Sequence, residues 1–309
     1  MELIRHLYNF RDRHRDCVAT IGNFDGVHLG HQAIIGQLKM IGQKYKLPTV
    51  ILTFEPHPQE FFSPDKAPAR VMRLREKLAY FRETGIDRVV CLRFDRKLAE
   101  LSADDFVNQI LIDRMNIRHL IIGDDFRFGK ERRGDISTLR EHAQRAGFEV
   151  DHTDTCEIEN RRVSSTWLRE VLAQGDMDTA AVLLGRPYSV SGRIVHGEKR
   201  GKELGYPTIN INLHRHRSPV TGIFAARVHG LDTTPIEAAV SIGTRPVFNG
   251  ETINLEAHLL DFDRDVYGAY VTVELVKHLR SEQMFGNISD LKKQIEKDIA
   301  ETRQFFCKK

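Results

Sequence analysis

The sequence predicts an α/β domain built on a parallel sheet, followed by a small antiparallel β-barrel with a terminal helix. Three observations predict it. Short β-type runs alternate with amphipathic segments of helix length through the first half of the chain. The period breaks at Gly185-Arg186-Pro187. Beyond that point, β-type runs follow one another through Gly, Asn, Asp and Pro turns with no crossover helix between them. At 309 residues the chain exceeds the size at which one core usually stops growing, and 41% hydrophobic residues support two cores.

In the first half, Cys17 to Gly22, Thr49 to Phe54, Arg88 to Leu92 and His119 to Gly123 read as strands. Ala33 to Tyr45, Leu74 to Thr84, Ala103 to Met115 and Asp135 to Ala146 have the length and spacing of crossover helices. Ligands of such sheets lie beyond the carboxyl ends of the strands, so the turns after Gly22, Phe54 and Gly123 are expected to converge on one crevice. Two short helices follow, Ser165 to Ala173 and Met177 to Leu184, and the domains are expected to span residues 1–185 and 186–309. In the second domain Tyr188 to Val195, Gly222 to His229, Ile236 to Ile242, Leu255 to Leu260 and Val271 to Leu279 are β-type runs of barrel grammar. Ser289 to Phe306, with Leu291, Ile295, Ile299 and Phe306 on one face, closes the chain as a helix. His214 to Arg217 reads as a surface loop.

Lys and Arg total 46 against 43 Asp and Glu, and a net charge of +3 argues against nucleic acid as the main partner while leaving anionic small molecules open. The first thirty residues are rich in Arg and carry no signal-peptide core. Nowhere do roughly 18 apolar residues run together, so no membrane segment is expected and the location reads as cytoplasmic. Cys17, Cys91, Cys156 and Cys307 are far apart and form no Cys-x-x-Cys pair, which argues against a zinc knuckle and a disulfide framework.

Asn23-Phe24-Asp25-Gly26-Val27-His28-Leu29-Gly30-His31 stands between an apolar strand and a helical pattern. The amides of such a helix start attract anions, Gly30 removes a side chain that would hold a phosphate away, and His28 and His31 can donate to its oxygens. With Gly123 to Gly129 and Val163-Ser164-Ser165-Thr166-Trp167-Leu168-Arg169, this stretch reads as one nucleoside triphosphate site. A zinc site would need a third ligand that the spacing does not supply. A class I aminoacyl-tRNA synthetase shares this kind of histidine signature, but the chain leaves no room for an anticodon domain.

A second phosphate-handling stretch runs from Gly192 to Asn210: a glycine-rich basic loop, with Gly197, Lys199, Arg200 and Gly201, leading into Pro207-Thr208-Ile209-Asn210. It is no Walker loop. It offers backbone amides, cations, and neutral oxygens suited to a hard cation such as Mg²⁺. Lys199 and Arg200 read equally well as a solvated charge run.

Over its whole length the chain resembles the bifunctional bacterial riboflavin kinase and FAD synthetase family, on His28-Leu29-Gly30-His31, Thr53-Phe54-Glu55-Pro56-His57-Pro58, Asp125-Phe126-Arg127-Phe128-Gly129, Pro207-Thr208-Ile209-Asn210, Leu255-Glu256-Ala257-His258 and Leu279-Arg280-Ser281-Glu282. The resemblance implies a Rossmann-like nucleotidyltransferase domain that transfers AMP from ATP to FMN, and a barrel that phosphorylates riboflavin with ATP and Mg²⁺. Riboflavin, FMN, FAD and ATP are the implied partners, with no nucleic acid and no membrane.

The implied roles follow the residues. His28 and His31 hold phosphates and stabilise transition-state charge. Asn23 and Gly30 shape the turn around the nucleotide, while Ser164, Ser165, Thr166 and Arg169 supply donors at a second helix start. Asp125 and His57 line the flavin side, His57 because two prolines fix its backbone. Phe54, Phe126 and Phe128 are candidates for ring stacking against the commoner role of core packing. In the second domain Gly197 and Gly201 approach ATP, Thr208 and Asn210 ligate the ATP-bound Mg²⁺, Glu256 is the catalytic base, and Arg280 with Glu282 closes over flavin. Ile209 stands where the family usually has Ala, and Val247 where it has Thr. A flavin-binding sensor without turnover, or an enzyme with one working domain, are the competing readings.

Overall fold

The computed structural model describes residues 1–197, 201, 204–215, 217–247 and 250–307. Lys199, Arg200 and the side chain of Val247 lie outside what is described. The chain condenses into two compact units, one of 1–68 and 73–164, the other of 69–72 and 165–309.

The first unit is a six-stranded parallel sheet in the order β1-β4-β3-β2-β5-β6. Its strands are β1 (Glu2–Arg5), β2 (Val18–Ile21), β3 (Thr49–Glu55), β4 (Arg88–Arg93), β5 (His119–Gly123) and β6 (Glu149–Thr153), and a separate antiparallel pair follows them, β7 (Glu157–Ile158) and β8 (Arg161–Arg162). β2 is buried at every position, as a strand covered on both faces must be. Between strands run α1 (Leu29–Tyr45), α2 (Pro58–Phe62), α3 (Leu74–Glu83), α4 (Arg96–Ala99), α5 (Ala103–Asp105) and α6 (Ile136–Ala146). α1 buries Ile35, Leu38 and Gly42, an amphipathic spacing, and Lys46 ends it in a left-handed conformation at φ 55°. Asp135 caps α6 by accepting from the amides of Ser137 and Thr138.

Three details differ from the sequence expectation. The edge strand β1 is present although its Glu-Leu-Ile-Arg carries little apolar signal. The expected helix from Ala103 becomes π-helical over Phe106–Arg114, and the wider turn keeps Phe106, Val107, Ile110 and Leu111 in the core. α1 begins at Leu29 rather than Ala33, which puts the histidine pair at its first turn.

The second unit holds α7 (Ser165–Ala173), α8 (Met177–Leu184) and a closed antiparallel barrel in the order β10-β13-β12-β11-β14-β9. The strands are β9 (Ser189–Val195), β10 (Ile209–Asn212), β11 (Gly222–His229), β12 (Ile236–Val247), β13 (Gly250–Leu259) and β14 (Tyr270–Arg280). β10 is the strand the sequence reading lacked; its pairing with β9 on one side and β13 on the other closes the barrel and removes two edges. Ile194, Ile211, Val240, Leu255, Ala257 and Val273 are among the buried apolar positions that alternate along these strands. The terminal helix α9 (Ile288–Cys307) packs on the outside of β11, β12 and β14. Within the expected surface loop at His214 to Arg217, Arg215 is buried at 8% exposure, because its guanidinium finds backbone carbonyls of residues 70 and 71 inside the same unit.

Candidate active sites

In the parallel sheet the order of strand connection reverses across the β2–β5 pair, and ligands of such sheets bind beyond the carboxyl ends of the strands at that point. The Asn23 to His31 turn leaves β2 there, and Gly123-Asp124-Asp125 leaves β5. Three positive-φ residues shape the first turn: Phe24 at φ 50°, Gly26 at φ 88° and Val27 at φ 42°. A β-branched residue in that region is strained, and the strain persists because Val27 and Phe24 are buried anchors, Phe24 meeting Phe81 edge-on at 5.6 Å.

His28 is the N-cap of α1, and its Nδ1 accepts from the amide of His31 at 3.4 Å. One helix-start amide is thus occupied by the protein itself. The acceptor role of Nδ1 assigns the proton of a neutral ring to Nε2. The His28 and His31 rings stack with centroids 3.7 Å apart, and a Cβ on Gly30 would press on the His28 ring at 3.3 Å. Burial, then the neighbouring His28 and Lys77, hold the His31 pKa well below its ordinary value. His31 therefore acts as a neutral hydrogen-bonding group rather than a standing cation.

Lys77 is a functional residue that the sequence did not single out. It sits on amphipathic α3, where a lysine ordinarily faces water, yet it is 4% exposed and donates to the Asn23 carbonyl at 2.9 Å. It ties the strained turn down and places a buried positive charge near the histidines. Asn23 Oδ1 and His31 Nδ1 are both buried without a hydrogen-bond partner among the described residues, so both have hydrogen-bonding capacity that a ligand could use.

The other candidates divide. His57 caps α2, its Nδ1 accepting from Gln59 while Glu60 accepts from the His57 amide, so its backbone setting is structural as well as available for binding. Asp125 is exposed and pairs with Arg162 at 2.7 Å; Arg162 also holds Asp124 at 2.8 Å. Ser164 closes the first unit, whereas Ser165, Thr166 and Arg169 open the second on α7, where Arg169 Nε donates to the Ala69 carbonyl at 2.7 Å. Phe128 belongs to the core, Phe126 stacks on it at 5.5 Å, and Phe54 and Phe126 are partly buried against the same core. The exposed aromatic group lies elsewhere. Phe61, Phe62 and Phe94 meet at 5.4 to 5.7 Å beyond the ends of β3 and β4, with Phe62 64% exposed. A Phe-Phe pair after the prolines was the available sequence signal.

In the barrel, Asn210 on β10 is directly opposite Glu256 on β13, which is opposite Ser241 on β12. Leu255 and Ala257, on the alternate face, are fully buried, so the three polar side chains share the outer face. Asn254 Nδ2 donates to Asn210 Oδ1 at 3.0 Å, fixing which way the amide points. A Cβ on Gly197 would overlap the Asn210 carboxamide, and one on Gly201 would meet the Tyr206 carbonyl at 2.5 Å and Thr208 Oγ1 at 3.2 Å. These glycines let the loop backbone lie against Thr208 and Asn210.

On the same face, a Cβ on Gly243 would overlap the Glu282 carboxylate, whose pKa is raised by partial burial against an opposing effect of Arg280. Arg280 itself makes a bidentate pair with Asp298 of α9, at 2.9 and 2.7 Å, and its NH1 donates to the Ser281 carbonyl. Its guanidinium is engaged inside the protein, and it anchors the Ser281–Glu282 turn rather than reaching outward. Among the described residues no cluster of three or more His, Cys, Asp or Glu could cage a metal ion.

The family models for FAD synthetase and riboflavin kinase match residues 10–167 and 184–306. The bifunctional riboflavin kinase/FMN adenylyltransferase of Escherichia coli K12 is 45% identical over 99% of this chain and 98% of that protein. Its counterpart from Haemophilus influenzae is 42% identical over 99% of each. Among solved structures, one titled as a macrolide-efflux protein from Streptococcus pneumoniae superposes with a TM-score of 0.82 at 28% identity, covering 98% of this chain and 99% of that one. No helix among the described residues is long and apolar enough to cross a membrane.

Proposed function

Because this chain belongs to the bifunctional riboflavin kinase/FMN adenylyltransferase family, we propose that it phosphorylates riboflavin to FMN and adenylylates FMN to FAD, with ATP as co-substrate of both steps. The observation that carries the division of labour is that the two polar sets fall in different compact units: Asn23, His28, His31 and Lys77 in the first, Thr208, Asn210 and Glu256 in the second. The adenylyltransferase domain is assigned to residues 1–185 and the kinase to 186–309.

In adenylyl transfer the FMN phosphate is already an anion and attacks the α-phosphorus of ATP, so positioning and charge stabilisation matter more than a base. The His28 ring donates from Nε2, His31 contributes as a neutral imidazole, and Lys77 supplies buried positive charge behind the Asn23 turn. The family match extends over Ser164, Ser165 and Thr166, which keep their assignment as nucleotide donors, with Arg169 just beyond it. The exposed Phe61, Phe62 and Phe94 group offers an apolar face for the flavin ring, alongside His57 and Asp125.

In phosphoryl transfer the ribityl hydroxyl must lose its proton as the γ-phosphoryl group arrives. Glu256 accepts it. Thr208 Oγ1 and Asn210 Oδ1 are neutral oxygens, and Asn210 is fixed by Asn254, so the set suits Mg²⁺ carried by the nucleotide rather than caged by the protein. Mg²⁺ held there would supply charge neutralisation to the transferring phosphoryl group. Gly197 and Gly201 give the phosphates backbone access, and Arg280 acts on flavin through the turn it anchors. ATP dependence supports a cytoplasmic location.

Incubation of the purified protein with riboflavin, ATP and Mg²⁺, followed by chromatography of the flavins, tests this. FMN and then FAD should accumulate. Saturable flavin binding with neither product would replace the enzyme reading with a sensor.

A further inference from the structure

Within the barrel, the antiparallel ladder between β10 and β13 runs from the pair Asn212 and Asn254 to the pair Ile209 and Ala257. Pro207 and Thr208 lie beyond its end, in neither helix nor strand, and Pro207 has no N–H with which to extend it. Thr208 thus falls outside the backbone pairing that restrains Asn210. His258 restrains it instead. On β13 the buried Leu255, Ala257 and Leu259 alternate with Asn254, Glu256 and His258, so these last three project from one face, each about 7 Å from the next. Asn254 Nδ2 donates to Asn210 Oδ1 at 3.0 Å, His258 Nδ1 lies 2.9 Å from the Pro207 carbonyl, and Glu256 stands between the two on the strand. A carbonyl oxygen only accepts, so His258 carries a proton on Nδ1.

The bond acts on Thr208 through covalent geometry. The Pro207 oxygen and the Thr208 nitrogen and Cα belong to one planar peptide unit, so holding the oxygen stops that plane from turning and fixes the direction in which the Thr208 side chain leaves it. The proline ring already sets φ at residue 207, and the hydrogen bond removes the remaining freedom at ψ. The residue before the proline is anchored separately. The Tyr206 hydroxyl donates to Glu296 of α9 at 2.9 Å, its amide donates to the Gly201 carbonyl at 2.8 Å, and its ring meets the His258 ring edge-on with centroids 5.8 Å apart. Those contacts hold the loop toward α9, whereas the His258 bond ties the Thr208 peptide to the strand that carries Glu256. We propose that His258 is a positioning residue for riboflavin phosphorylation: by holding the Pro207 carbonyl it sets the Thr208 hydroxyl in register with Asn210 and Glu256 for a cation-bound nucleoside triphosphate. The proposal rests on the assignment of Thr208, Asn210 and Glu256 to that reaction.

The test uses the full-length chain carrying His258→Leu, His258→Gln or His258→Asn, assayed separately for FMN formation from riboflavin and for FAD formation from supplied FMN. Leucine has no donor. The asparagine amide nitrogen is separated from Cβ by the same number of bonds as His Nδ1 and can donate in its place, whereas glutamine carries its amide one carbon farther out. A misplacement on the ångström scale at a reacting centre costs up to about 10²-fold, so kcat for phosphorylation should fall about tenfold or more in His258→Leu and His258→Gln, and half-saturating MgATP should rise about threefold or more. KM for riboflavin should stay within about twofold, and His258→Asn should keep about half of the activity or more, a pattern that a merely structural role would not produce. FAD formation should stay within about twofold in all three variants. Unchanged phosphorylation in the leucine and glutamine variants, an asparagine variant as impaired as the leucine one, or equal losses in both reactions overturns the proposal. If His258→Leu fails to fold, the other two decide: an active asparagine variant beside an impaired glutamine one sustains the role, and equal activities remove it. A Thr208→Ala/Asn210→Ala control separates the two ideas, since phosphorylation surviving in that variant would defeat the site assignment whatever His258 does.

Discussion

Asn210 and Glu256 face each other across adjacent antiparallel strands, on the outer face of the barrel, with the Asn210 amide fixed by Asn254. Directly opposed residues on such strands have Cβ atoms about 5 Å apart, so the Asn210 amide and the Glu256 carboxylate, proposed above as cation ligand and base, are brought within one substrate's reach. Glu256→Gln keeps shape and removes the proton acceptor. Riboflavin phosphorylation should fall by about 10²-fold or more. FAD formation from supplied FMN should persist, and its loss instead would reverse the assignment of the two units.

Gly197→Ala tests the loop. The added Cβ collides with the buried Asn210 carboxamide, which Asn254 prevents from swinging aside freely. The apparent affinity of the kinase for ATP and Mg²⁺ should drop about tenfold, corresponding to about 1.4 kcal/mol. Steady-state titration of the kinase reaction against MgATP reads this directly, and an unaltered titration would detach the loop from the nucleotide.

If the pair supplies the proposed transition-state hydrogen bonds, replacing His28 and His31 together with alanine should lower adenylylation by about 10² to 10³-fold while phosphorylation continues, because both lie in the first unit alone. Equal decline of both reactions in a kinetic assay would contradict it.

Phe62 is largely exposed and packs on Phe61 and Phe94, so Phe62→Ala should leave thermal stability nearly unchanged. KM for FMN in adenylylation should nonetheless rise several-fold, about 3- to 10-fold for a lost stacking face. A variant with unchanged KM would remove this aromatic group from the flavin site.

The His31 pKa is lowered in the folded protein, principally by burial, and those of His14 and His278 are lowered in the same sense. The unfolded chain therefore binds protons at these positions first as pH falls. Stability is constant with respect to these groups above the ordinary histidine pKa of about 6.5 and declines as pH drops below it. Urea midpoints measured from pH 8 to 5 should fall on the acid side, and His31→Gln should make that fall shallower. An identical slope in the variant would show that His31 is not held neutral.

The primary sequence by itself determined the two-domain division of class, most of the strands of the parallel sheet and the helix that carries the histidines, and it singled out His28, His31, Thr208, Asn210 and Glu256 as candidates. These rest on local signals: apolar periodicity, turn residues, and motifs contained in a few consecutive positions. β10 carried such a signal too, since Ile209, Ile211 and Leu213 alternate with Asn210 and Asn212, but with only four paired residues it became a strand because β9 and β13 were there to receive it. What only tertiary structure decided concerns long charged side chains and distant partners. Lys77 and Arg215 look like surface cations, and Arg280 like a ligand-facing one; their carbonyl and carboxylate partners at Asn23, at residues 70 and 71, and at Asp298 lie far away in sequence. A flexible cation has no preferred local partner, so its role is fixed only when folding removes water and leaves it one set of acceptors.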